Sequence, residues 1–274
     1  MHLIHGKHIA RQMEEDIRRR IGGRTLSVST LMMEGSQPSA LYARLKEEAC
    51  RRAGIAHRTL SFPPGTEQRE MIKKIRELNR DPAVHGIMVQ QPLPGVAYEQ
   101  VVAAIDPAKD VEGMHPLNLG RTLLGDEHLV PGTPRAVLTI LEHEGIELEG
   151  REAVIVNHSA IVGKPLAALM LSRNATVSVC HVYTRNLAAH TRQADVLVTG
   201  AGVKGLITGE HLKPGSVVVD VAIIPDGEGV TGDVDRESVA EVAGALTPVP
   251  GGVGPVTIAC MLENVLRAAS IEKD

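Results

Sequence analysis

The 274-residue chain has no tryptophan, a single phenylalanine (Phe62) and three tyrosines (Tyr42, Tyr98 and Tyr183). Its cores must therefore be aliphatic, and a stacking platform for a planar ligand has only these four side chains to draw on. Cysteine is almost as scarce. Cys50, Cys180 and Cys260 are too widely separated for a disulfide framework or a zinc-ligand spacing, which fits a reducing, cytoplasmic setting. No segment approaches about 18 consecutive apolar residues, and the N-terminus lacks a continuous apolar stretch, so neither membrane spanning nor secretion is expected. A formal net charge of -4 argues against a nucleic-acid footprint. The basic run Arg18-Arg19-Arg20 shares a helix with the apolar stripe Ile9, Met13, Ile17 and Ile21, so it reads as a solvated outer face.

What is present describes a globular chain with room for two domains: 43% hydrophobic residues, 23% charged ones, no repeat and no low-complexity tract. Helical and strand signals alternate. Helices are expected near 7–21, 40–53 and 67–79, with strands at 26–33, 57–62 and 86–90 between and after them. A loop-rich middle over 91–134 leads to a helix near 136–144. A second series follows, with strands near 153–156, 176–181, 195–199 and 216–221 and a helix beginning at Val162. Its apolar runs are short and nearly continuous, as in strands buried on both faces. The pattern predicts two α/β domains flanking a cleft: residues 1–133, then 134–254 as a Rossmann-like nucleotide-binding fold. A closing apolar helix over 255–274 is expected to pack back on the first domain.

Several groupings can carry chemistry. Tyr42 and Lys46 stand four apart on a helix and project from one face, which suits a ring and an ammonium sharing a site, or a half-buried tyrosine beside an exposed lysine. Val89-Gln90-Gln91-Pro92-Leu93-Pro94 ends a strand with two amides, either of which could orient a substrate or a neighbouring lysine. Asp106, Asp110 and Glu112 lie in a Gly/Pro-bounded loop and could accept the N–H groups of an aminopyrimidine; their spacing does not suit a metal. The turn from Asn157 to Gly163 follows a strand and opens a helix, where a dinucleotide phosphate would sit on helix N–H groups. It is no GxGxxG, and Asn157 stands where a tight turn usually wants glycine. After the next strand, His181-Val182-Tyr183-Thr184-Arg185 contains no Asp or Glu, which leans to a 2′-phosphate and NADP. Finally, residues 248–255 hold three prolines and three glycines, more than a simple turn needs, and suggest a ligand-facing loop.

These motifs, in this order from His5-Gly6-Lys7 to Gly254-Pro255, resemble the bifunctional methylenetetrahydrofolate dehydrogenase/cyclohydrolase family over nearly the whole chain. The resemblance implies oxidation of 5,10-methylenetetrahydrofolate with NADP, hydrolysis of the methenyl product to 10-formyltetrahydrofolate, and usually a homodimer. It implies that Tyr42 stacks on the pterin, Lys46 handles protons, Gln90 holds Lys46 and Glu112 grips the pterin's amino edge. Pro250, Gly251, Gly252 and Thr257 would border the folate; Asn157, His158, Ser159, Val162, Gly163, Thr184, Arg185 and Ile224 would border the nucleotide. No metal is implied. Departures cluster in the nucleotide half, where Asn157 replaces Gly, His158 often Arg, Val182 Ser, and Ala222 and Ile224 a Gly and an Asn. They leave open a specialised relative without hydride transfer, acting only as a cyclohydrolase or passing the methylene carbon to another acceptor.

Overall fold

The computed structural model describes residues 1–227 and 229–271. In chain order its elements are β1 (His2–Leu3), α1 (Gly6–Ile21), β2 (Leu26–Met33), α2 (Gln37–Ala53), β3 (Ile55–Phe62), α3 (Gln68–Arg80), β4 (Gly86–Gln90), α4 (Tyr98–Val102), α5 (Pro116–Leu123) and α6 (Gly132–His143). They continue with β5 (Glu152–Val156), α7 (Gly163–Leu171), β6 (Thr176–Cys180), α8 (Leu187–Thr191), β7 (Val196–Thr199), β8 (Val217–Asp220), β9 (Ile224–Asp226), β10 (Gly229–Thr231), α9 (Arg236–Val239), β11 (Ala245–Leu246) and α10 (Val253–Ile271). Single 3-10 turns lie at Pro107–Lys109 and Gly209–His211.

The chain divides into two compact units. The first comprises residues 1–10, 123–125 and 133–257, the second residues 11–122, 126–132 and 258–274. The first unit is built on a sheet of order β1-β11-β8-β7-β5-β6, parallel at every pairing. All four residues of β7 are buried, as a strand covered on both faces requires. An aliphatic cluster including Val154, Val156, Leu197, Val218 and Leu246 forms its core. Strand order reverses beside β5, which pairs β6 on one side and β7 on the other. The loops at the carboxyl ends of β5 and β7 therefore border the crevice where such sheets take their ligands.

The second unit holds a three-stranded parallel sheet, order β3-β2-β4. Helix α3 buries Met71, Ile75 and Leu78, a spacing of four and three that lines one helical face. Met261, Leu262, Val265 and Leu266 of α10 pack in one cluster with Ile17, Leu26, Met88 and Val111. Residues 272–274 of the expected closing helix lie outside the described residues.

The architecture differs from the sequence expectation in two places. Residues 1–10, grouped there with 11–133, belong to the first unit, where His2 and Leu3 pair with Ala245 and Leu246 at the sheet margin. The middle expected to be loop contains α4 and α5, and α6 begins at Gly132 rather than near 136. Elements of two to eight residues offer too few turns for periodicity to reveal them.

Candidate active site

Lys46 of α2 reaches two acceptors within the second unit. Its Nζ donates to Gln90 Oε1 at 3.1 Å and to Glu112 Oε1 at 2.6 Å, with the lysine and glutamate side chains only 12% and 22% exposed. Gln90 stands at the end of β4 and its Nε2 donates to the Gln91 carbonyl, which fixes the amide so that its oxygen faces the lysine. Tyr42 lies one helical turn earlier on α2, and burial pushes its phenol above the ordinary range. The geometry thus assembles Lys46, Gln90 and Glu112 from three separate elements, with Tyr42 on the same helical face as the lysine. Glu112 spends one oxygen on Lys46 rather than standing free to meet a ligand.

The three carboxylates of the 106–112 loop have separate tasks. Asp106 caps the 3-10 turn by accepting from Ala108 N, and Asp110 is buried, accepting from His115 N at 2.7 Å and Asn118 Nδ2 at 2.9 Å. Burial pushes the Asp110 carboxyl upward while those hydrogen bonds oppose the shift. Lys109 donates inward to the carbonyls of Leu78 and Asp81. Of the three, Glu112 is the one that accepts from Lys46. The loop is further anchored by Asn264, whose Nδ2 donates to both Val111 O and Val130 O at 2.9 Å; sequence reading missed this residue because it lies on an apolar helix far along the chain.

In the first unit, Asn157 follows β5 and its side chain is fully engaged. Nδ2 donates to Gly200 O across the strand-order reversal, while Oδ1 accepts from Ser159 N, Ser159 Oγ and Gly163 N. Asn157 does not adopt the left-handed backbone a glycine would supply; among the described residues the positive-φ positions outside glycine are Asn174 and Asn186. It organises the turn by hydrogen bonding rather than merely adding bulk. Gly163 is obligatory for a different reason: a Cβ there would lie 1.9 Å from the Asn157 carbonyl oxygen. The N–H groups of Val162, Gly163 and Lys164 already donate to Ser159 Oγ, Asn157 Oδ1 and Ser159 O, so the expected phosphate seat on this helix start has internal competitors.

At the end of β6, Thr184 Oγ1 accepts from His181 N, while His158, His181, Val182, Tyr183 and Arg185 are exposed. Ile224 opens the β9–β10 hairpin opposite Thr231, which makes it a paired strand residue as well as a candidate contact. Two buried aspartates shape the neighbouring loops, although sequence reading gave neither a role. Asp233 accepts from Thr199 Oγ1, Ala201 N and Val203 N; Asp220 accepts from Ala222 N and Val234 N. Burial, reinforced by the charge of Asp233, raises the Asp220 carboxyl to about 7 against its backbone donors.

The Pro/Gly run needs its glycines for its own path. Gly251 has φ +103°, and Gly252 N donates to Pro248 O while a Cβ at Gly252 would fall 2.6 Å from that oxygen. A Cβ on Gly6 would lie 1.9 Å from Gly252 O, so residues from both ends of the first unit meet here. Pro250 is exposed, and Thr257 Oγ1 donates back to Val253 O within α10.

A parallel sheet with a ligand crevice at its reversal point, together with an α/β unit carrying a sheltered lysine between an amide and a carboxylate, defines a two-domain nucleotide-dependent α/β enzyme. Residues 4–112 match the catalytic domain of tetrahydrofolate dehydrogenase/cyclohydrolase, and residues 131–273 match the NAD(P)-binding domain of the same proteins. The chain belongs to the tetrahydrofolate dehydrogenase/cyclohydrolase family. It is 44% identical to the bifunctional protein FolD of Methanosarcina mazei, over 97% of this chain and 96% of the relative. Its fold superposes on the bifunctional FolD crystal structure from Campylobacter jejuni with TM-score 0.96 at 38% identity, covering 99% of both chains. The Trypanosoma brucei FolD structure, complexed with NADP and an inhibitor, gives TM-score 0.93 at 31% identity, covering 98% of this chain and 97% of that one.

Proposed function

We propose that this chain oxidises 5,10-methylenetetrahydrofolate to the methenyl cation with NADP and hydrolyses that cation to 10-formyltetrahydrofolate. The observation that carries the reading is the Lys46 ammonium held between Gln90 and Glu112 in a mostly buried setting. The first step moves a hydride and no proton, and NADP supplies the hydride acceptor. In the second, water adds to the methenyl carbon and sheds one proton; as the bond from that carbon to N5 breaks, N5 gains a proton and the carbinol hydroxyl loses its own to become the formyl oxygen, so that one proton is released overall. A single amine that takes the first proton and returns it to N5 serves two of these transfers while the hydroxyl proton leaves to solvent, and Lys46 is placed for that work. Gln90 keeps the amine in register.

Glu112 has two suitors. An aminopyrimidine presents N–H donors that match a carboxylate, and its arrival would leave Lys46 with only the Gln90 oxygen as acceptor. Substrate binding would then free the lysine as it anchors the pterin. Tyr42 supplies the ring for stacking, and Pro250, Gly251, Gly252 and Thr257 are proposed as further folate contacts. Asn157, His158, Ser159, Val162, Gly163, Thr184, Arg185 and Ile224 are proposed to line the nucleotide site. The residues present suit NADP: no Asp or Glu occurs between Glu152 and Asp195, so no carboxylate on α7, β6 or α8, and none at the carboxyl end of β5, repels a 2′-phosphate. The rival reading, a relative without hydride transfer, rests on the altered nucleotide loops, and Asn157 loses its force as an argument because its polar atoms are all used.

The assembly is proposed to be a homodimer. Strand β3 pairs only with β2 among the described residues, leaving an edge available to a second copy. Among the described residues no helix is long and apolar enough to cross a membrane. A cytoplasmic setting and the absence of nucleic-acid binding follow from composition and remain part of the proposal. The direct check is hydrolysis of methenyltetrahydrofolate without NADP. The wild type should accelerate it, and a folded Lys46→Gln variant should fall about 10²- to 10⁴-fold, the usual worth of a positioned proton carrier. Equal rates for the two would remove Lys46 from the chemistry.

A further inference from the structure

At the amino ends of β5, β7 and β8, opposite the carboxyl-end crevice, the first unit holds a cavity of about 440 Å³. That size lies within the range of about 300–1,000 Å³ usual for small-molecule sites. Ser216 lines the cavity just ahead of β8; it is 3% exposed, and its Oγ has no hydrogen-bond partner among the described residues. The backbone of the same residue is satisfied, its N–H donating to Lys213 O and its carbonyl accepting from Gly244 N at 2.9 Å. Only the hydroxyl is left over. A buried hydroxyl without a partner is costly, and each such group in a folded chain calls for a reason.

Four charged side chains share the lining, and they are not equally engaged. Lys213 Nζ donates to Asp195 Oδ1 at 2.6 Å, and Asp195 Oδ2 accepts from Glu152 N at 3.0 Å. The hydrogen bond from Lys213, helped by the one from Glu152, holds the Asp195 carboxyl below its ordinary value, so the pair stays ionised. Arg151 acts on Asp195 through space; its guanidinium and the Glu147 carboxylate are exposed and make no hydrogen bond among the described residues. Two cations and two carboxylates cancel, so the lining favours neither a lone anion nor a lone cation. The Arg151 donors, the remaining N–H groups of Lys213 and the Ser216 hydroxyl suit a carboxylate, while Glu147 suits an ammonium. Ile146, Val196 and Pro214 add apolar wall.

We propose that this cavity is a second ligand site, which takes a free α-amino acid with an aliphatic side chain. The ligand's carboxylate meets Arg151 and the Ser216 hydroxyl, its ammonium meets Glu147, and its side chain lies against Ile146, Val196 and Pro214. Such a zwitterion matches a lining that is neutral in sum and separated in sign, and it gives the Ser216 hydroxyl its missing acceptor. Asn157 and Asp220 stand at the other ends of the strands that border the cavity. The site is therefore separate from the crevice, and the inference does not rest on the folate reading.

Calorimetric titration of the full chain with L-leucine, L-valine and L-methionine tests the proposal. At least one should bind saturably. Isocaproate and isoamylamine, which each keep one charge of leucine, and inorganic phosphate should bind about tenfold or more weakly than the best of the three, since each forfeits a charged hydrogen bond. Arg151→Gln and Ser216→Ala should each weaken binding about tenfold. Without ligand, Ser216→Ala should melt no lower than the wild type, because it removes a hydroxyl that has no partner to lose. No saturable binding of any of the three by folded protein overturns the proposal, as does binding that survives both substitutions. Tighter binding of phosphate, or displacement of the amino acid by NADP⁺, overturns it by naming another ligand or another site. A lower melting temperature for unliganded Ser216→Ala overturns it too, by showing that the hydroxyl is already satisfied.

Discussion

A Cβ on Gly163 would fall 1.9 Å from the carbonyl oxygen of Asn157, a distance no backbone atom tolerates, so Gly163→Ala must push α7 away from β5. NADP⁺ affinity should drop at least tenfold while the Lys46-dependent hydrolysis in the other unit persists, a split that paired titration and hydrolysis assays would read. Glu112 invites the complementary change. Glu112→Gln removes the charge that an aminopyrimidine edge would meet, and folate should bind about tenfold more weakly, the lower end for a lost charged hydrogen bond; unchanged folate affinity would confine Glu112 to holding Lys46. Asp220 governs a pH response. Its folded-state value near 7 lies above the ordinary 3.8, so the native state holds that proton more tightly than the unfolded chain does. Its contribution is full below the unfolded value and is lost as pH rises through about 7. Relative to Asp220→Asn, which cannot titrate and carries a constant offset from its altered hydrogen bonds, the wild-type melting temperature should decline as pH is raised from about 5 to about 8. A constant difference across that window would contradict the assignment.

At the scale of elements, long periodic segments were legible and short ones were not. The spans of β2 and β4 and the apolar face of α3 are written in runs and spacings that packing merely enforces. Strands β1 and β11, two residues each, exist because a sheet margin pairs them, and no local pattern announces that. The candidate site divides in the same way. Tyr42 and Lys46 share a helix and could be linked by spacing, whereas the join of Lys46 to Gln90 and Glu112 spans 44 and 66 residues and needed the fold. Motif resemblance joined Gln90 to Lys46 but assigned Glu112 to the pterin's amino edge; periodicity alone offered neither. Asn264 is the clearest omission, a polar residue on an apolar helix whose amide ties Val111 to Val130. Asn264→Ala leaves two buried carbonyls without a donor, each costing about 1–3 kcal/mol. The stability loss, read from the urea midpoint, should be at least about 2 kcal/mol. A loss near zero would mean that water replaces the amide.

For the whole molecule, each unit is proposed to carry one half of the chemistry: a parallel-sheet unit suited to a dinucleotide, and an α/β unit whose lysine handles protons. Pairing of β3 with β2 alone among the described residues further predicts that sedimentation will find a dimer, and that a proline at an outward-facing position of β3 will shift it toward monomer. The central claim is the division of labour between hydride and proton. It is tested by supplying 5,10-methylenetetrahydrofolate and NADP⁺ together and following NADPH, the methenyl cation and 10-formyltetrahydrofolate in the wild type and in Lys46→Gln. The wild type should yield NADPH and the 10-formyl product in equal amounts, while Lys46→Gln should still form NADPH and accumulate the methenyl cation. Absence of NADPH formation by folded wild-type protein, or loss of both products to the same extent in the variant, would contradict it.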